Sequence, residues 1–590
     1  MTVLQALDRY YDRMAARNEA EAPGYSREKI SFAIVISAEG EPIQLLDIRQ
    51  AAGRRMVPRL LEVPAAVKRT AGILPNLLWD KTSYVLGRTA GAGRRTAEEH
   101  TAFKAANLAM LDSASDEGLI ALRRFLEAWS PARFDATPFT PEMLDANIVF
   151  RLDGELGYVH QRDAARWLIE PRIGGDGPIG FCLVSGVEAP LRRLHPSIKG
   201  VEGAQSSGAS LVSFNLDAFT SYGKEQGANA PVSEAAAFRY GAALNRMLDR
   251  GSSNRVARPI GDASVVFWAD TSGVVDETAA KAAEDAFGAW FDQPAEGSQG
   301  ADDASEAAKL RDALDLLANG RPIQNLGLGL VPGTRFHVLG LAPNAARLSV
   351  RYWLDDSFDA FAARLADHYR DLSIEPAPWG AKPPSVQRLL VKTTALQEKF
   401  DNIPPLLAGE VMRAVLGGSR YPRTLLSAAI VRLRAGDAPW TGWHAAAIKA
   451  CINRSEEENV PMALEPDNPS AAYQLGRLFA VLESAQYAAL GRVNAPISTR
   501  YYGSASATPA RVFGPLLRGL RHHVADALKQ GRGGWIDGKV GEIIAKLPPN
   551  LPPTLRLEDQ GRFAVGYYHE RAARRSRTDE TDPSEEEATQ

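Results

Sequence analysis

Cysteine is nearly absent from this chain: Cys182 and Cys451 are the only two among 590 residues. They lie far apart and form no Cys-x-x-Cys, which excludes a disulfide framework, a dithiol redox centre and a cysteine-built zinc site. The cytosol is therefore the expected compartment. Long apolar runs are also missing, since no stretch approaches the roughly 18 consecutive apolar residues of a membrane span. The opening "MTVLQALDRYYDRMAARNE" reads as an amphipathic helix without the apolar core and cleavage site of an export signal. Histidine is scarce as well. His195 and His337 stand alone, and His522 and His523 would leave a helix in different directions, so neither set makes a chelate. The pair Asp355 and Asp356 lacks the further acidic partners that two-metal nuclease chemistry needs. No catalytic constellation, metal site or cofactor site is visible.

What the chain does have is length and many charges. At 590 residues it exceeds what one core normally serves. The net charge of −3 is a small difference between 68 basic and 71 acidic side chains, so local fields of either sign remain possible. The fold class expected is α+β. Strand signals occur at "ISFAIVISAEGEPIQLLDIR", "ANIVFRLDG", "GFCLVSG", "ASVVFWAD", "TRFHVLGLAP" and "ARLSVRYWLDD", with Ala- and Leu-rich helical periodicity over 96–130. Residues 295–308 are small, polar and acidic and read as a surface connection. From about residue 356 the pattern turns helical, with a further acidic, Pro-containing break at "NRSEEENVPMALEPDNPSA". Three domains follow: a mixed α/β region over 1–355, a helical connecting region over 356–461, and a C-terminal bundle of about four helices over 462–590 whose acidic tail reads as disordered.

Two kinds of segment invite an anionic ligand. Residues 462–575 carry 15 Lys or Arg against 9 Asp or Glu, an excess of 6. Within them Arg511, Arg518 and Arg521 fall near one helical face, with Lys529 further along, a pattern suited to phosphates rather than to base edges. Solvation of an ordinary bundle surface is the competing reading. The second kind is the glycine-rich run from Arg193 to Ser233, where Gly200, Gly203, Gly208, Gly223 and Gly227 let backbone donors approach closely and Lys199 and Lys224 add charge. It contains no nucleotide-binding fingerprint, and an irregular surface loop is the alternative.

Several stretches together resemble one family, the large subunit of the type I-C CRISPR Cascade interference complex (Csd-type, Dvulg subtype) with a fused C-terminal domain similar to the small subunit. They are "LPNLLWDKTSYVLG", "HPSIKGVEGAQSSGASLVSFNLDAFTSYGKE", "FHVLGLAPNAARLSVRYW", "IPPLLAGEVMRAVLGGSRYP", "YQLGRLFAVLESAQ", "YYGSASATPARVFGPLLRGLRHH" and "GRFAVGYYHER". Each is modest alone. Together they run in family order over almost the whole chain.

The resemblance implies a non-catalytic, RNA-guided DNA-targeting subunit. It would recognise the protospacer-adjacent motif in duplex DNA, promote R-loop formation, stabilise the displaced non-target strand and help recruit the helicase-nuclease. Its partners would be the crRNA-containing backbone and crRNA-end-binding subunits, separately translated small subunits, target DNA with its displaced strand, and the helicase-nuclease; Met462 is placed either for an internal start of the small subunit or as an ordinary linker residue. Pairing with the guide carries the long sequence information in such systems, while protein side chains inspect the short flanking duplex. In the first family-like stretch Asn76 has donor and acceptor groups suited to base edges, Lys81 and Arg88 suit phosphates, and Lys68 and Arg69 strengthen the local field, with Asn76 and Lys81 the preferred DNA-reading residues. Lys199, Ser206, Ser207, Asn215 and Lys224 make a second candidate surface, and Arg511, Arg518, Arg521 and Lys529 face the non-target strand. Trp79, among Leu77, Leu78, Val85 and Leu86, is expected to anchor the core. The alternatives are a scaffold touching only crRNA and other subunits, and a metal-dependent nuclease.

Overall fold

The computed structural model describes residues 1–53, 55–67, 69, 72–135, 138–169, 177–214, 216–271, 275–291, 329–379, 384–395, 397, 399–455, 459–491 and 493–579. They form two compact units: Met1–Ile198 with Ser210–Arg246, and Lys199–Ala209 with Met247–Gln590. The expected α+β class is borne out, with mixed sheets toward the N-terminus and helices dominating toward the C-terminus. None of the described helices is long and apolar enough to cross a membrane.

The first unit opens with helix α1 (Val3–Ala16), whose N-terminus is closed by a reciprocal pair in which Thr2 and Gln5 satisfy each other's backbone N–H. Strands β1 (Tyr25–Ile30), β2 (Phe32–Ile36) and β3 (Pro42–Asp47) follow. Then come two short strands, β4 (Gln50–Ala52) and β5 (Arg55–Val57), and the longer β6 (Arg59–Pro64). The central sheet has the order β3-β2-β8-β7, with β8 (Asn147–Leu152) parallel to β2 and the two-residue β7 (Asp80–Lys81) antiparallel to β8. A parallel neighbour needs a crossover, and the helices α2 (Thr82–Val85), α3 (Thr96–Leu111) and α4 (Glu117–Ala128) lie within it.

Side-chain alternation in β2 and β8 explains why this sheet is covered twice. Phe32, Ile34, Ile36, Ile148 and Phe150 join the core with Phe103, Leu122 and Phe125 of the helices. Ala33 and Val149 point the other way, into a smaller cluster with Leu61, Val63 and Trp79. Burial on both faces accounts for the nearly continuous apolar run of β2.

In the second unit β9 (Ser264–Ala269), β10 (Arg335–Asn344) and β11 (Arg347–Ser357) fall where strands were expected and are antiparallel in sequence order. One hydrophobic core then runs without interruption from Val256 through Phe336, Val411, Ile448 and Phe479 to Tyr568. The breaks expected at 355/356 and 461/462 are thus not gaps between cores. The acidic linker is tied back, because Glu375 donates its backbone N–H to the Met462 carbonyl at 2.8 Å. Acidic composition marks an exposed segment. It does not report whether the helices on either side share a core.

Beyond Met462 the described residues form five α-helices where about four were expected: α5 (Ala471–Leu490), α6 (Ile497–Ala507), α7 (Pro509–Lys529), α8 (Ile536–Ile544) and α9 (Leu557–Asp579). The additional one, α6, carries Ser, Gly and Tyr where helix formers are usual, and packing supplies what propensity lacks. Arg477, fully buried in α5, donates to Glu570 at 2.8 Å, to the Gln474 side chain at 2.8 Å and to the Pro466 carbonyl at 2.7 Å. This network fixes α9 and the linker to one helix. The stretch 295–308 and the tail from 580 lie outside the described residues.

Candidate nucleic-acid interface

The segment "ILPNLLWDKTSYVLG" is a buried polar turn leading into β7 and α2. Leu78 has φ 63°, a left-handed backbone that is rare for a branched side chain and must be held by its surroundings. Asn107, itself fully buried on α3, accepts the Leu78 N–H at 2.7 Å and donates to the Asn76 carbonyl at 3.2 Å. The Asp80 carboxylate, with no exposed surface, accepts the Asn76 N–H at 2.9 Å and the Lys81 N–H at 2.8 Å, and it is ion-paired with Arg69. Burial pushes the Asp80 carboxyl upward, against the Arg69 charge and the backbone donors that favour its ionised form. The Arg69 guanidinium also lies over the Tyr84 ring, 4.1 Å from its centroid.

This geometry corrects the role expected for Asn76. Its side chain is 4% exposed, and its Oδ1 accepts the Val67 N–H at 2.9 Å. In this conformation the carboxamide holds the loop and presents nothing to a base. Arg69 likewise serves the clamp first. A strained turn and a reading loop need the same polar residue types, so Asn76 reads alike in sequence for either role. Trp79 is a core anchor as expected, 3% exposed, with its indole N–H on the Pro64 carbonyl at 2.7 Å.

Lys81 is different. It is the last residue of β7, its side chain is exposed, and it has no ion-pair partner among the described residues. The residue after it, Thr82, receives the Asp145 N–H on its hydroxyl at 2.7 Å. Asp145 in turn accepts from the Thr89 hydroxyl at 2.5 Å and the Ala90 N–H at 3.3 Å. Asp145 therefore ties the Arg88 loop, through its carboxylate, to the strand end that carries Lys81, through its backbone N–H. Arg88 is partly exposed, 3.0 Å from Asp135 and over the Phe134 ring.

Downstream in the same loop Arg94 and Arg95 are exposed, without ion-pair partners among the described residues, immediately before α3. Sequence reading passed over them. The signal was present in "GRTAGAGRR", where small residues separate three arginines. Gly87 opens this loop with φ 67°, and a Cβ there would meet the Pro131 ring at 2.7 Å.

Of the second candidate surface, Lys199, Ser206 and Ser207 belong to the second unit and Lys224 to the first. Ser206, Ser207 and Lys224 are exposed, and Lys199 is half-buried. The loop holding Gly200 is anchored to its own unit by Arg255, which donates to the Gly200 carbonyl at 3.0 Å. Lys224 follows a tight turn in which its N–H returns to the Ser221 carbonyl at 2.9 Å. At the tip of that turn Tyr222 has φ 51° and a fully exposed ring, a further feature missed in the sequence, where "TSYGKE" carried the turn signal. Lys68 and Asn215 lie outside the described residues.

On α7, Arg511, Arg518, Arg521 and Lys529 are all exposed. At 100° per residue Arg511, Arg518, His522 and Lys529 share a stripe, while Arg521 stands off to one side. Lys529 pairs with Asp526 at 2.9 Å, and the three arginines have no ion-pair partner among the described residues. Phe513, Leu520, Val524 and Ala527 bury the opposite face.

The solitary histidines are structural. His195 hydrogen-bonds the Tyr240 hydroxyl at 2.6 Å, and His337 is buried beside Trp268 and Trp353. Asp355 and Asp356 are paired with Arg335 and Arg364, each at 2.7 Å. No group of three or more His, Cys, Asp or Glu is gathered for a metal among the described residues.

No curated protein matches this chain. A family model described as CRISPR-associated protein (Cas_Csd1) matches residues 7–575, nearly its full length. With that match added to the ordered series of family-like stretches, the chain belongs to the Cas_Csd1 family of CRISPR-associated proteins.

Proposed function

We propose that this chain is the non-catalytic large subunit of a type I-C Cascade surveillance complex, inspecting the duplex beside the protospacer and holding the opened DNA. The observation that carries the reading is the exposed cationic surface of Lys81, Arg88, Arg94 and Arg95, fixed to the sheet through Thr82 and Asp145. Phosphate contacts position a protein on DNA, and a rigidly mounted basic surface at a strand end suits that role. Asn76, Asp80 and Arg69 set the angle of the Lys81 backbone, so they act on recognition through position. Lys199, Ser206, Ser207 and Lys224 extend the reading to the glycine-rich loops. The Tyr222 ring offers a face for an unpaired base, since stacking contributes about 1–3 kcal/mol per base.

The stripe on α7 suits the displaced strand, where basic grooves bind without reading sequence. The crRNA-bound backbone, the small subunits and the helicase-nuclease are the partners this role requires, with bond breaking left to other proteins. The test is equilibrium binding of the assembled complex to duplexes with the cognate flanking motif or a permuted one. Lys81→Ala with Arg88→Ala should weaken binding to both duplexes and lower its dependence on salt. Unchanged affinity and salt dependence would remove this surface from DNA binding, and footprints confined to crRNA and protein would favour the scaffold.

A further inference from the structure

We propose that the ribbon formed by β4 and β5 is an arm that enters the major groove of B-form duplex DNA. The two strands pair only with each other, Gln50 with Val57, Ala51 with Met56 and Ala52 with Arg55, and form a separate two-stranded sheet. Arg55 and Val57 share one face and Met56 the other, yet all three are exposed, Met56 at 51% and Val57 at 39%. A lone two-stranded ribbon in water is marginal at best, so a chain that keeps apolar side chains on both faces of one has left it for a partner.

Charge identifies that partner. Residues 48–61 contain four arginines, Arg49, Arg54, Arg55 and Arg59, and no Asp or Glu. Arg49 is engaged with Asp47, while Arg55 and Arg59 are exposed with no ion-pair partner among the described residues. A stretch with four positive charges and no negative one fits a polyanion, and protein surfaces seldom supply such density.

Shape then selects the duplex. Strands of three residues reach roughly 10 Å from their base. The B-form major groove is about 8.5 Å deep and about 12 Å wide, and it admits a two-stranded ribbon. The ribbon would lie in the groove while Arg55 and Arg59 meet the phosphate backbone on its edges. The deep, narrow major groove of A-form RNA excludes the same arm. The proposal rests on duplex DNA as the ligand, as in the reading above, and not on Lys81 or on any particular flanking motif.

The test uses the full chain, a labelled 20-base-pair DNA duplex and an RNA duplex of the same sequence, with anisotropy measured across a salt series. Arg55→Ala with Arg59→Ala should lower the slope of log K against log salt by about 1.8, from about 0.9 per phosphate contact, which weakens binding about thirty-fold at 0.15 M salt. Arg55→Lys with Arg59→Lys should retain the slope, which separates lost charge from misfolding. Wild-type affinity and slope in the alanine variant would overturn the proposal. So would an equal loss on the RNA duplex, no duplex binding by the chain, or loss of assembly with other subunits while duplex binding persists. If permuting the flanking motif changes nothing but the ribbon variant still lowers the slope, the Lys81 reading fails and this one stands.

Discussion

Replacing Asp80 with alanine removes the acceptor on which the Lys81 surface is built. The carboxylate has no exposed surface, accepts two backbone N–H groups at 2.9 and 2.8 Å, and is the counter-ion of Arg69. Breaking a buried pair by removing one partner costs about 3–5 kcal/mol. The orphaned N–H groups of Asn76 and Lys81 fall within that figure, because the same desolvation is being counted. For a unit of this size each kcal/mol moves the midpoint by about 2–4 °C, so the first unit should melt about 6–20 °C lower. Pairing the change with Arg69→Met should restore part of the loss, since a neutral apolar pair avoids the buried charge. The assay is thermal unfolding of the full chain by circular dichroism, with hydrogen exchange assigning each transition to its unit. A midpoint within about 2 °C of wild type would refute the clamp, because at the slope above that leaves at most about 1 kcal/mol for the entire network.

Three further outcomes follow from the same geometry. Asn76→Ala should lower stability by about 1–3 kcal/mol through the unpaired Val67 N–H, whereas Lys81→Ala should leave the midpoint unchanged and weaken duplex binding; thermal melts beside duplex titrations separate the two, and a stability loss for Lys81→Ala would contradict its placement. Removing Arg511, Arg518 and Lys529 together should lower the salt slope for single-stranded DNA by about 2, from about 0.7 per contact, and an unchanged slope would assign the stripe to solvent. Burial depresses five imidazoles, His160, His337 and His569 to about 4, His368 to about 3, and His100 below its usual value, so the folded protein favours their neutral forms. Their contribution is complete above the unfolded value near 6.5 and falls as pH drops from there toward 4, by up to about 1.4 kcal/mol per pH unit for each histidine. Three of the five, including the most depressed, lie in the second unit, which should therefore lose protection first in hydrogen exchange between pH 6.5 and 4.5; equal sensitivity of both units would count against this.

The sequence made legible what periodicity controls. The β-rich run around Ile34 and the near-alternation at Leu348, Val350 and Tyr352 marked true strands, and Trp79 was placed in the core by its apolar neighbours. Misreadings came where a residue's partner is distant in sequence. Nothing local to Asn76 reveals that Val67 and Asn107 engage it, or that Leu78 adopts a left-handed backbone. The ribbon at Gln50–Val57 lacks alternation because neither face is buried, so its apolar residues gave no strand pattern. Met462 looked like a boundary because the linker is acidic, yet its carbonyl is bonded to Glu375. The exposure of Arg94, Arg95 and Tyr222 depended on turn geometry that residue types suggest but do not fix.

The most direct measurement compares assembled complex with and without this chain on duplexes carrying the cognate or a permuted flanking motif. The account expects the complete complex to prefer the cognate duplex by about 5- to 150-fold, the range of one good base contact at about 1–3 kcal/mol, and the complex lacking the chain to show no preference. Equal preference in both preparations would contradict it.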